Sequence, residues 1–362
     1  MFATPVAWLD DGVLRLMRRA LLFGAVLVVV VGVTWQASSF EGTGRVRVDQ
    51  RRTDRPAPAM AGRGYVIGVA GDIACDADPN GDDEPDSCQY DDTSDLIKGT
   101  GLTEVLLLGD NQYDEGEHEN YLAFFDPTWG RAFRNLSPAP GNHEYGGDAG
   151  AEPIGYFRYF GDDVKGPDGL GYYSYDLGAC PDDPCWHMIA LNSEICFADG
   201  GCDAAEDPAD QGPGERMYAW LEADLAANAD HACTLAYWHH PRFSHSTSSG
   251  ATDAVAPLWD LLYAARADVV LNGHSHNYQR WRPQDPSGAR DPEAGIREFV
   301  VGTGGKSHYA ISGGDPPENL VVAQSDAFGI LRIRLKAAGY AWGWVSAVGQ
   351  PAFEDAGRAK CV

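Results

Sequence analysis

The sequence predicts an α/β fold. Short, continuous apolar runs alternate with stretches of helical periodicity, and a cluster of polar residues directly follows each of several runs. In α/β proteins the region just beyond strand C-termini is where sites are built. About 300 of the 362 residues read as domain core, enough to bury roughly 75% of the unfolded surface without help from a metal.

The elements follow in chain order. Arg15, Arg18 and Arg19 precede an apolar run over residues 20–35, and Ala37 and Ser39 suit a signal peptidase. Residues 1–39 therefore read as a signal peptide or an N-terminal membrane anchor, with the remainder exported. The location expected is extracytoplasmic: secreted, or anchored at the outer face of the plasma membrane with residues 20–35 as the tether. Residues 40–63 are rich in Arg, Gly, Pro and Ala and read as a flexible linker. One domain is expected over 64–362. Its first strand spans residues 65–70, partly β-branched and ending at Gly71-Asp72. The run 105–108 ends at Gly109-Asp110 and reads as a second, buried strand. Residues 215–227 stack Met217, Leu221 and Leu225 on one helical face, and a second helix is expected over 254–266. Strands over 234–238 and 269–271 lead into His239 and His274. The tail, 328–335 and 340–345, reads as two consecutive strands, so the sheet should finish antiparallel.

The net charge of −26 repels polyanions and disfavours nucleic acid as the main partner. Eight cysteines without a C-x-x-C pair fit disulfides in an oxidising compartment better than a zinc ribbon. Spacing suggests Cys75–Cys88, Cys180–Cys185 and Cys196–Cys202, which leaves Cys233 and Cys361 to tie down the C-terminus. The stretch Asp76-Ala77-Asp78-Pro79-Asn80-Gly81 imitates the start of a calcium loop, but its twelfth position is Ser87 and not Glu.

Five segments carry the chemistry: Gly71-Asp72-Ile73-Ala74, Gly109-Asp110-Asn111-Gln112-Tyr113, Gly141-Asn142-His143-Glu144, Trp238-His239-His240-Pro241 and Gly273-His274-Ser275-His276. Each alone is weak. In this order, with at least four following a predicted strand, they supply oxygen and nitrogen donors for two adjacent metal ions. The glycines permit a sharp turn and close approach of backbone to ligand.

On these motifs the chain resembles the calcineurin-like metallophosphoesterases, and within them the purple acid phosphatases. Many metallophosphoesterases open with Asp-x-His. Here the third residue is Ala74, and Tyr113 stands in the Gly-Asp-x-x-Tyr pattern of the purple acid phosphatase branch. The resemblance covers about residues 65–305 and implies a β-sandwich of two mixed sheets flanked by helices. It implies one metal held by Asp72, Asp110, Tyr113 and His276, and a second by Asp110, Asn142, His239 and His274. The first would be Fe(III), the second Zn, Mn or Fe(II), in keeping with hard anionic donors at one site and imidazole at the other. The implied reaction is hydrolysis of a small phosphate monoester by attack of a metal-bound hydroxide on phosphorus. Asn142 and His143 would touch substrate, with His143 as electrostatic stabiliser or general acid beside the bridging Asp110. His245 is a further catalytic or substrate-binding candidate, balanced against a solvated loop histidine. His240 is assigned to support of the ligands, because neighbours on a strand point to opposite sides. Glu144 reads as an orienting carboxylate or a surface one. Gly302–Gly305 read as a backbone approach to the site or a tight turn, and His308 is a weaker candidate. The alternatives are a phosphodiesterase acting on nucleotides or phospholipid head groups, and a catalytically silent surface binding protein. Oligomeric state is not legible.

Overall fold

The computed structural model describes residues 64–76, 88–146, 152–178, 185–197, 201–207, 209 and 211–362. The expected leader, the linker and most of the calcium-loop imitation lie outside the described residues. Among the described residues no helix is long and apolar enough to cross a membrane.

The strands in chain order are β1 (Tyr65–Ala70), β2 (Glu104–Leu108), β3 (Leu136–Ala139), β4 (Tyr173–Gly178), β5 (Cys185–Ala190), β6 (Thr234–Tyr237), β7 (Val269–Asn272), β8 (Tyr278–Trp281), β9 (Arg297–Val301), β10 (Leu320–Gln324), β11 (Gly329–Lys336), β12 (Gly339–Ser346) and β13 (Ala356–Lys360). The α-helices are α1 (Tyr90–Asp95), α2 (His118–Asn120, continued by a π-helix over Tyr121–Gly130), α3 (Ile154–Phe160), α4 (Pro213–Ala227) and α5 (Ala256–Ala264). The strands form two mixed sheets, ordered β13-β12-β11-β1-β2-β3 and β10-β8-β9-β7-β6-β5-β4. In the first, β1, β2 and β3 are parallel; in the second, β5, β6, β7 and β9 are parallel. The remaining strands close each sheet antiparallel. The hairpin β11–β12 is the tail pairing expected, in register from Gly329–Ser346 to Lys336–Gly339.

Strand alternation explains the layering. Ile67, Val69, Leu331 and Ile333 of the first sheet share one core with Trp186, Met188, Leu235, Tyr237, Phe299 and Val301 of the second. The intervening residues Ile189, Ala236 and Val270 point the other way, onto α4 and α5. There Met217, Leu221 and Leu225 meet Leu258, Trp259 and Leu262, each such burial stabilising by about 1.5–3 kcal/mol. With both faces covered, the central strands can be continuously apolar, as β2 is after Glu104. Helix α4 starts on Pro213, and the Glu215 carboxylate accepts the Gly212 N–H at 2.7 Å, satisfying one of the free donors of the helix end.

Strand β3 was not legible in the sequence. It contains Pro138, which cannot donate to a ladder and reads against a central strand. The structure resolves this by putting β3 at the edge of its sheet. Disulfides join Cys75–Cys88, Cys196–Cys202 and Cys233–Cys361, three of the expected pairs. Cys185 is also disulfide-bonded, and Cys180 lies outside the described residues.

Candidate metal centre

The five motifs occupy the C-terminal ends of β1, β2 and β3 in one sheet and of β6 and β7 in the other. Asp72 follows β1, Asp110 follows β2, and Asn142 and His143 follow β3. His239 follows β6, with His274 and His276 after β7. Asp72, Asp110 and His274 all take a positive φ, of 60°, 47° and 66°, a conformation that costs a residue with a Cβ and clusters at functional sites. The chain turns there at each strand end and aims the side chain inward. Two glycines are required by what packs on them. A Cβ on Gly141 would lie 2.2 Å from Asp110 Oδ1, and one on Gly273 would lie 2.6 Å from Asp72 Oδ2.

The donors converge on two points. At the first, Tyr113 Oη stands 3.0 Å from Asp72 Oδ1, 3.0 Å from Asp110 Oδ2 and 2.9 Å from His276 Nε2, and His276 Nε2 is 3.2 Å from Asp72 Oδ1. At the second, His239 Nε2 lies 3.1 Å from each of Asp110 Oδ2, Asn142 Oδ1 and His274 Nδ1. The protons available cannot serve these contacts. Tyr113 has one O–H for three neighbours. The Nδ1 atoms of His239 and His276 face the carbonyls of Leu108 and Ser307 at 2.9 and 2.7 Å, so each ring gives its proton there and turns a lone pair inward from Nε2. Donors that share one ion at about 2.1 Å stand about 3 Å apart, which is the spacing at both points. The residues fit two metal ions, with Asp110 common to both.

The electrostatics point the same way. Burial pushes the Tyr113 phenol far up, and Asp110 and Asp72 push it further, so only a cation at that point would ionise it. Burial alone would lower His239 and raise Asp110. Each overcomes this for the other: His239 rises to about 10 and Asp110 is held well below the carboxylate range. His274 falls to about 4, through burial and then the charge of His239. Metal binding would displace the shared proton and lift this penalty.

Around the donors, Glu144 is buried. Its Oε2 accepts the N–H groups of Asp110 at 3.0 Å and Gly141 at 2.6 Å. Its Oε1 accepts those of Asn111 at 2.8 Å and Gln112 at 3.3 Å, and the Tyr121 hydroxyl at 2.8 Å. One carboxylate thus pins the second and third motifs together. His240 offers a ring nitrogen within 4.8 Å of those of His239 and His274. Its Nδ1 meets Ser193 Oγ at 2.8 Å and its ring lies 4.2 Å from that of His274. His143 has a side chain 32% exposed; its Nδ1 contacts the Asp114 carbonyl and its Nε2 lies 3.9 Å from Asp110 Oδ2. The ring of His245 contacts none of these ligands among the described residues; its backbone N–H donates to Gln279 Oε1 at 2.9 Å. The Gly302–Gly305 run folds back on the first motif: Gly304 N–H donates to Gly71 O at 3.0 Å, and a Cβ on Gly302 would lie 2.8 Å from Asp72 Oδ2. His308 stacks on Phe328, with ring centroids 3.9 Å apart.

Two neighbours of the site escaped the sequence reading. Lys306 sits with Nζ 4.6 Å above the Tyr113 ring and 2.8 Å from Asp114 Oδ1. Tyr309 stacks on His276 with ring centroids 3.9 Å apart. Their only signal was position, directly after the Gly302–Gly305 run.

Two mixed sheets with donors for a binuclear centre at their strand ends are the arrangement of a metallophosphoesterase fold. The chain belongs to the calcineurin-like phosphoesterase family, whose sequence model matches residues 65–278. It is similar to purple acid phosphatase 15 of Arabidopsis thaliana, 30% identical over 55% of this chain and 36% of that protein. It is also similar to purple acid phosphatase 22 of the same plant, 29% identical over 48% of this chain and 36% of that one. The chain thus matches about a third of the length of these relatives. Among solved structures, the purple acid phosphatase PPD1 from yellow lupin seeds aligns with a TM-score of 0.65 at 16% identity, covering 84% of this chain and 55% of that one. GAP50, described as the anchor in the inner membrane complex of Plasmodium, aligns at 0.61 and 14% identity, covering 83% and 90%. These two likenesses speak for the fold alone.

Proposed function

We propose that the chain is an exported phosphomonoesterase of the acid phosphatase type. Fe(III) sits among Asp72, Asp110, Tyr113 and His276, and Zn, Mn or Fe(II) among Asp110, Asn142, His239 and His274. The observation that carries this reading is the asymmetry of the two points. Two carboxylate oxygens, a phenol oxygen and one imidazole meet at the first; one carboxylate oxygen, two imidazoles and an amide oxygen meet at the second. A phenolate with two carboxylates favours a trivalent ion, and the imidazole set a divalent one. Bound there, the ions supply Lewis acidity, lower the pKa of a water and neutralise charge on the phosphoryl oxygens.

The chain's own residues do the rest. Asn142 and His143, both only partly buried, contact the phosphate. With Nδ1 turned to the Asp114 carbonyl, His143 exchanges its proton at Nε2 and hands it to the leaving oxygen. Lys306 adds positive charge beside Tyr113 in a protein of net charge −26. Glu144 holds Asp110 and the Gly141–His143 turn at fixed spacing. His245 is left outside the proton transfer. The cysteine pairs support an oxidising, extracytoplasmic location.

The test is hydrolysis of a chromogenic phosphate monoester against the matching diester by the full chain across pH, with Asp110→Ala as control. Faster monoester turnover, absent in the variant, is expected. Faster diester turnover would move the assignment to a phosphodiesterase, and no turnover by the metal-loaded protein would leave a binding protein on this fold.

A further inference from the structure

A second cluster of ligand-type side chains lies at the opposite end of the second sheet. His187 is near the start of β5, paired with Thr234 at the start of β6, whereas His239 follows the end of β6. Asp176 on β4 is the cross-strand partner of His187. His231 comes from the turn between α4 and β6. Asp176 Oδ1 is 3.1 Å from His187 Nδ1 and 3.1 Å from His231 Nε2, and the three atoms lie within 4.8 Å of one another.

The second nitrogen of each ring is already committed. His187 Nε2 donates to Asp224 Oδ2 at 2.7 Å, and His231 Nδ1 donates to the Asn228 carbonyl at 3.1 Å. This is the outer support that metal-binding histidines have: a carboxylate on one ring and a backbone carbonyl on the other, with His187 Nδ1 and His231 Nε2 left toward Asp176. Asp176 Oδ1 thus lies between two ring nitrogens and is hydrogen-bonded by His187 Nδ1; a metal ion would take the place of that proton. His231 Nε2 is shut off from solvent and makes no hydrogen bond, although Asp176 Oδ1 is 3.1 Å away. Burial would lower the His187 ring, but Asp224 and Asp176 outweigh it and raise it, so the pocket selects positive charge. Asp230 adds a third carboxylate, 3.5 Å from His231 Nδ1.

We propose that Asp176, His187 and His231 form a third metal site, separate from the catalytic pair, for a divalent transition ion of the zinc type. Two imidazoles and a carboxylate are a zinc ligand set, and ligands around tetrahedral zinc stand roughly 3.3 Å apart. Asp176 is half-exposed, so the fourth position opens to solvent. The ion would fasten the edge strand β4 to the turn after α4, two residues before the Cys233–Cys361 disulfide.

The experiment is zinc uptake by the full chain, its catalytic metals in place, titrated with zinc sulfate and measured by elemental analysis. Wild type is expected to hold one more zinc equivalent than His231→Ala, and one more than Asp176→Asn, which changes only a half-exposed edge residue. Monoester turnover should be equal in all three. Zinc at a hundred times its Kd should raise the wild-type unfolding midpoint by about 5 °C and leave both variants unmoved. Equal zinc content in wild type and variants, with a midpoint blind to zinc, would overturn the proposal and make the cluster a proton-bridged ion pair.

Discussion

Replacing Glu144 by glutamine changes one atom's chemistry and should disable the centre. Four backbone N–H groups and the Tyr121 hydroxyl converge on this carboxylate, two on Oε2 and three on Oε1. An amide keeps one acceptor and turns the other into an NH2. In the better of its two orientations, two buried backbone donors, those of Asp110 and Gly141, face another donor. Each unsatisfied buried group costs about 1–3 kcal/mol, so the variant should lose about 2–6 kcal/mol. Urea unfolding at constant m-value reads this directly. Turnover should fall by at least tenfold, because the donors set free are those that place Asp110 and the Asn142–His143 turn. Glu144→Asp, which keeps the charge, should lie between. Burial and Asp110 push the Glu144 carboxyl up on balance, opposed by the Gly141 N–H, the Tyr121 hydroxyl and His239. A glutamine variant with wild-type stability and turnover would mean that the native carboxyl carries a proton, and the cradle argument would fail.

The other expectations concern colour and pH. Tyr113→Phe removes the phenol oxygen that meets both carboxylates, so the visible absorption of the iron-loaded protein should vanish and its first metal should bind at least tenfold more weakly. A colourless wild type holding full activity would refute the mixed-metal assignment. Glu298 is fully buried, its Oε1 accepting the Arg242 and Phe243 N–H groups while Oε2 has no partner, and burial raises it from 4.5 to about 8. Between those values the folded protein keeps a proton that the unfolded chain has lost, so stability should fall by a few kcal/mol as pH rises from 4.5 through 8. Glu298→Gln, which holds its amide neutral throughout, should flatten that decline in denaturation midpoints measured at a series of pH values; an unchanged slope would place the titrating group elsewhere.

Much of this was legible because the chemistry sits at strand ends. Continuous apolar runs such as residues 105–108 announce a buried strand, and the Gly-Asp that follows announces a turn carrying a ligand. Strand β3 was hidden by Pro138, since edge position is a property of the sheet and not of the segment. The role of Glu144 could be narrowed to two readings and no further, because the donors it accepts are backbone groups with no signature in side-chain identity. Lys306 and Tyr309 reach the site only because the run before them folds back on the first motif. Asp176, His187 and His231 share no motif at all. They meet through strand register and a turn after α4, both invisible before the sheets are assembled.

The donor set is divided between the sheets. Asp72, Asp110, Tyr113 and Asn142 belong to the first; His239, His274 and His276 belong to the second. Neither half chelates alone, because each metal point needs imidazole from one side and oxygen from the other. Catalytic competence is therefore a coincidence signal: it switches on only when the two layers have docked in the correct relative position. A slip between them by a single side-chain width would leave both sheets intact and break both metal points. Activity measured during refolding would then time the last act of assembly, the closing of the seam, separately from the formation of either layer.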